Sequence, residues 1–84
     1  MAPVDREKIF WRKIGEETFV SNMETGQTYS LDETAAFIWD KMLTGQDPTK
    51  IISFLTEAYS IDEQTARQDL EALLVDFQKE GLIQ

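Results

Sequence analysis

An α+β domain of winged-helix-like type, a three-stranded antiparallel sheet followed by a three-helix bundle, is what this sequence predicts. Three observations point there. Residues 8–31 hold short runs of β-branched and aromatic residues punctuated by glycine turns. Residues 32–84 hold three amphipathic stretches, each opened by an aspartate. The links between strands are too short for crossovers, so the strands must form an antiparallel meander.

The elements follow in order. Residues 1–7 read as a flexible N-terminus. Lys8 to Ile14 (KIFWRKI) suits a first strand, and Gly15-Glu16-Glu17 turns the chain. Thr18 to Asn22 (TFVSN) is a second strand. Met23-Glu24-Thr25-Gly26 is the next turn, with Gly26 free to take a positive φ. Gln27 to Leu31 (QTYSL) is the third strand, in which Tyr29 and Leu31 point one way and Thr28 and Ser30 the other. Asp32 caps the first helix, whose face is Ala35, Ile38, Trp39 and Met42; the helix ends near Leu43, with Gly45 as the stop. Asp47 caps the second, and Pro48 fills the first helical position, where a missing amide costs nothing. Its face is Ile51, Ile52, Leu55, Ala58 and Tyr59. The third helix starts after Asp62, carries the stripe Ala66, Leu70, Leu73, Leu74 and Phe77, and is closed by Gly81. Leu82 and Ile83 are placed to fold back over the core.

With 84 residues the chain is expected to be one domain, residues 1–84. Its 42% hydrophobic content suffices for a folded core. It contains neither cysteine nor histidine. That removes disulfides, thiolate metal sites, the commonest general base and the commonest metal ligand together. Adjacent carboxylates such as Glu16/Glu17 and Asp62/Glu63 fall at a turn and a helix cap, where capping and solubility account for them. No phosphate-binding glycine loop or nucleophile elbow is present. No enzymatic activity and no cofactor are expected. No apolar run is long enough to cross a bilayer and the start lacks a signal-peptide core, so no membrane association and a cytoplasmic location are expected.

Net charge is −8 and uneven. The bases Arg6, Lys8, Arg12 and Lys13 nearly balance the acids of residues 1–31, whereas residues 32–84 are strongly acidic. In the third helix Asp62, Glu63, Asp69, Glu71, Asp76 and Glu80 face only Arg67 and Lys79. A helix of that charge opposes phosphate, so no nucleic-acid partner is expected, although a winged-helix DNA-binding module is the runner-up reading of the fold. A structural subunit that docks on one enzyme is the third.

A small sheet has two edges of unpaired amides and carbonyls. If the third helix lies beside the edge of the third strand, a groove forms with Leu70, Leu73 and Phe77 as an apolar floor. An extended peptide could then add as a further strand. Leu70, Leu74 and Phe77 are chiefly core on this reading. Leu73, with Ala66 and Asp69 on the adjoining side of the stripe, is the better candidate to face a ligand. Trp39 is read as core, Phe10 and Trp11 as opposite faces of one strand, and Phe37 as a second exposed contact. An open edge also permits strand exchange between copies, which leaves a homodimer open.

The run TGQTYSLDETAAFIW, an MLTG helix end, an AYSI helix end and DLEALLVDFQKEGLI together resemble the PqqD family, also called the RiPP recognition element. The resemblance spans about Ile9 to Ile83 and rests most on Tyr29-Ser30-Leu31-Asp32, Ala35, Ile38-Trp39, Asp69-Leu70, Leu74 and Gly81-Leu82. Asp32 stands where the family usually has Asn; both cap helices well. The resemblance implies a non-catalytic chaperone. Such a protein binds the leader segment of a ribosomally made precursor peptide as a strand added to strand three. It then presents the peptide to a modifying enzyme, such as a radical S-adenosylmethionine enzyme, or to a leader peptidase and its cyclase. By position it implies Gln27, Thr28, Tyr29, Ser30 and Leu31 as the pairing strand and Ala66, Asp69, Leu70, Leu73 and Phe77 as the groove wall.

Overall fold

The computed structural model describes residues 4–83. Three strands are followed by three helices: β1 (Ile9–Ile14), β2 (Glu17–Asn22), β3 (Gln27–Leu31), α1 (Glu33–Leu43), α2 (Pro48–Tyr59) and α3 (Glu63–Lys79). The expected α+β architecture is the one observed. The sheet is antiparallel in the order β1-β2-β3, so β1 and β3 are its edges. The predicted boundaries shift by single residues. Lys8 sits in a turn, its amide donating to the Asp5 carbonyl at 3.1 Å, and Glu17 enters β2 opposite Ile14.

Each helix begins as its sequence dictates. The carboxylates of Asp32, Asp47 and Asp62 accept the amides of Ala35 (2.8 Å), Lys50 (2.9 Å) and Thr65 (2.7 Å). Every one satisfies an amide that has no partner inside its helix, an interaction that typically contributes about 1 kcal/mol. The Thr65 amide holds the Asp62 carboxyl below its ordinary pKa.

The core lies between the helices and the inner face of the sheet. Trp39, Phe77, Ile38, Ile51, Leu55, Leu70, Leu82 and Val20 are fully enclosed. Trp39 is its centre, edge-on to Phe77 at 5.4 Å and to Trp11 at 6.0 Å, geometries that suit the ring quadrupoles. Its buried indole Nε1 has no partner among the described residues. A buried donor without a protein partner costs on the order of 1–3 kcal/mol, offset by burying so large a ring. Leu82 and Ile83 do fold back and are buried.

Phe10 is exposed on the outer face of the sheet, while Trp11 packs inward with the Arg6 guanidinium 5.5 Å from its ring. Phe37, expected as an exposed contact, is instead half-buried and edge-on to Tyr59 at 5.6 Å. Of the segment read as flexible, residues 1–3 lie outside the described residues. Val4 packs against the core, and Arg6 and Glu7 enter the turn that contains Lys8: the Asp5 carboxylate accepts the Glu7 amide, and Arg6 donates to the Leu43 carbonyl at 3.2 Å.

Candidate functional site

Strand β3 pairs with β2 alone: Thr18, Phe19, Val20, Ser21 and Asn22 lie opposite Leu31, Ser30, Tyr29, Thr28 and Gln27. The direction of each backbone group follows from one bond. The Met23 amide donates to the Lys8 carbonyl at 2.8 Å, which makes Lys8 and Met23 a hydrogen-bonded pair in the extension of β1–β2. Antiparallel pairs alternate between bonded and non-bonded. Asn22, Val20 and Thr18 therefore turn their backbone groups toward β3 and engage Gln27, Tyr29 and Leu31. Thr28 and Ser30 are left with amide and carbonyl directed at the open edge. The close approach of the Ser21 and Thr28 hydroxyls, 2.9 Å apart, agrees with a non-bonded pair.

Side chains follow the opposite logic. Tyr29 and Leu31 point inward toward the helices, and Thr28 and Ser30 point to solvent. Beside the open edge runs a groove of about 370 Å³, lined by Thr28, Tyr29, Ser30, Leu31, Asp32, Ala35, Leu73, Asp76, Phe77 and Glu80. Its far wall is the C-terminal half of α3.

Asn22 fixes the spacing between the two walls. Its side chain is buried; Oδ1 accepts the amides of Glu24 (2.9 Å) and Thr25 (3.2 Å), and Nδ2 donates to the carbonyls of Glu80 (3.4 Å) and Gly81 (3.3 Å). One amide thus ties the β2–β3 turn to the end of α3, so the helix terminus lies near the start of β3. Gly81 makes this approach feasible. Its φ is +73°, and a Cβ there would sit 2.7 Å from Asn22 Nδ2.

Electrostatically the groove is one-sided. Asp32, Asp76 and Glu80 line it and no basic side chain does. Partial burial, reinforced by Asp76, raises the Glu80 carboxyl above its ordinary pKa. Among the described residues no cluster of ligating side chains suitable for a metal is present, and no helix is long and apolar enough to cross a membrane.

The structure brings together six of the ten anticipated residues: Thr28, Tyr29, Ser30, Leu31, Leu73 and Phe77. Gln27 is exposed at the start of β3, outside the groove lining. Ala66 and Leu70 are enclosed in the core, and Asp69, one turn before Leu73, is exposed and outside the groove lining. The helix stripe is right but its partner changes along its length. The first half of α3 lies along α2, with Glu63 and Arg67 across a recess from Ile52, Ser53 and Thr56, and only its last turns face β3. Leu73 and Leu74 are both half-buried against the core, so burial does not separate them; only Leu73 lines the groove. Asp32, Ala35, Asp76 and Glu80 join the site without having been anticipated there. Asp76 and Glu80 sit three and seven residues beyond Leu73, helical spacings that place them on its side of α3.

Two solved structures share this architecture. One, described as TbiB1 in complex with the TbiA(beta) leader peptide, superposes with a TM-score of 0.91 at 23% identity, covering 96% of this chain and 93% of that one. The other, described as lasso peptide synthetase B1 complexed with the leader peptide, gives 0.87 at 25% identity, covering 92% and 91%. No curated protein matches the chain. The family model for coenzyme PQQ synthesis protein D matches residues 17–83, from the start of β2 through the segment that follows α3. With most of its length matched by that model, the chain belongs to the PqqD family.

Proposed function

We propose that this domain binds the leader segment of a ribosomally synthesised precursor peptide by strand addition at β3, and presents it to a modifying enzyme or leader peptidase. The observation that carries this reading is the open edge of β3. Thr28 and Ser30 direct an amide and a carbonyl each at a groove whose other wall is α3. Backbone pairing there supplies affinity, and alternate guest side chains entering the groove supply selectivity. Membership of the PqqD family supports the reading, as does likeness to a lasso peptide synthetase B1 whose structure holds a leader peptide. The proposed role is non-catalytic and, because the guest is a freshly translated peptide, cytoplasmic. A chain without histidine or cysteine lacks the usual general base and the usual thiol nucleophile.

Titration of the ¹⁵N-labelled domain with a synthetic leader segment of a ribosomal precursor peptide tests this. Amide shifts should concentrate at Thr28 to Leu31 and on α3 from Leu73 to Glu80. Shifts confined to α2, with β3 silent, would refute it.

A further inference from the structure

We propose that the β3–α3 groove selects a guest peptide carrying a lysine or arginine two residues from an apolar side chain, the cation seated between Asp76 and Glu80. This rests on the strand-addition reading and deepens it.

The geometry begins with the guest backbone. A strand pairing with Thr28 and Ser30 points alternate side chains to the inner face of the sheet, beside Tyr29 and Leu31. Successive inward side chains lie about 6.6–6.8 Å apart along the strand. They meet α3, on which Leu73, Phe77, Asp76 and Glu80 line the groove. Asp76 and Glu80 are one helical turn apart, with Cβ atoms about 5–6 Å from each other, a separation a single ammonium or guanidinium can bridge.

Direction along the groove is set by Asn22. It lies opposite Gln27 and bonds to the Glu80 carbonyl, so the acidic end of α3 stands at the start of β3. The apolar part, with Leu73 one and two turns earlier, lies toward Leu31 and Ala35. The cationic guest residue therefore sits at the Thr28 end and its apolar neighbour at the Leu31 end.

Charge complementarity names the occupant. The ion pairs among the described residues are Lys8–Glu24 and Arg67–Glu63; neither involves a groove acid. Asp32 lies at the other end of the groove, where its Oδ1 accepts the Ala35 amide at the start of α1. Asp76 and Glu80 line the groove one turn apart with no base in its lining, while Lys8 and Lys79 border Glu80 on the neighbouring recess, and partial burial makes the Glu80 charge costly. A guest cation removes that repulsion; a guest carboxylate adds to it. The open backbone edge beside them is independent of these acids and is what brings a peptide to them.

Three synthetic decapeptides test this, acetylated and amidated, of alternating apolar and polar pattern. They differ only in Lys, Gln or Glu at one inward position two residues from a leucine. Each is titrated into the ¹⁵N-labelled full chain at low and at physiological salt. The lysine peptide should bind at least tenfold tighter than the glutamine peptide at low salt, less at high salt, and the glutamate peptide weakest. In an Asp76→Asn, Glu80→Gln variant, whose near-isosteric changes preserve the amide spectrum, the lysine advantage should vanish. Equal affinities for all three peptides, with β3 amides shifted by each, would overturn the charge inference and leave strand addition standing. Silent β3 amides with every peptide would overturn both.

Discussion

The two edges of the sheet are made of the same ladder chemistry and are treated oppositely. On β1 the amides of Ile9, Trp11 and Lys13 face away from β2, by the same alternation that frees Thr28 and Ser30 on β3. The Ile9 amide is already taken by the Asp5 carbonyl at 2.9 Å, in a turn that Arg6 anchors to the end of α1. Arg12 and Lys13 place cations along the rest of that strand, a familiar guard against edge-to-edge pairing. Edge β3 has neutral Gln27, Thr28 and Ser30 and a groove beside it. An edge becomes a binding surface when nothing local satisfies it and a second wall stands at the right distance.

Proline substitutions break the comparison most sharply. Tyr29→Pro removes an amide used by β2 and an inward ring, and should cost on the order of 3 kcal/mol in urea unfolding. Ser30→Pro removes an outward amide, so it should leave unfolding within about 1 kcal/mol while lowering leader affinity at least tenfold. Lys13→Pro, its counterpart on β1, should leave leader affinity unchanged. Equal loss of affinity from Ser30→Pro and Lys13→Pro would erase the distinction between the edges.

The wall opposite β3 gives the next contrast. Leu70 is enclosed in the core, so Leu70→Asp should unfold the domain, a loss above about 3 kcal/mol by circular dichroism melting. Half-buried Leu73 lines the groove, so Leu73→Asp should keep the fold and weaken leader binding.

A third substitution loosens the spacing alone. Asn22→Asp keeps the acceptor for the Glu24 and Thr25 amides but sets a carboxylate against the Glu80 and Gly81 carbonyls. It should cost about 1–3 kcal/mol at neutral pH. Facing carbonyls, the new carboxyl has a folded pKa above its unfolded one, so stability should return as pH falls and the protonated group donates again. Melts at a series of pH values would show this; a pH-independent deficit relative to the native chain would contradict it.

The smallest effect concerns Glu80. Burial first, then Asp76, raises its folded pKa, so its carboxylate opposes folding above that pKa and ceases to as pH falls. Glu80→Gln should raise the melting temperature by roughly 1–2 °C at neutral pH and by nothing in acid.

Most of this architecture was legible in the sequence because its signals are local. Asp32, Asp47-Pro48 and Asp62 announce helix starts, and Gly26, Gly45 and Gly81 announce turns that adopt positive φ. Half of the groove was less legible. The stripe Ala66-Leu70-Leu73-Phe77 tells which side of α3 faces inward, but periodicity cannot say that α2 takes the first half and β3 the second. Read from the sequence, Asn22 is only the last residue of the second strand, and its bracing role is missed. An asparagine before a four-residue turn signals bonding to the turn amides, whereas its reach to residues 80 and 81 is a long-range contact.

Phe77 belongs to two neighbourhoods at once: it lines the groove, and its ring stands edge-on to Trp39 at 5.4 Å. Anything that enters the groove and nudges Phe77 alters the surroundings of an indole that water never reaches. In a Trp11→Phe variant, which leaves Trp39 as the one indole, guest entry should therefore register as a change in emission without any attached dye.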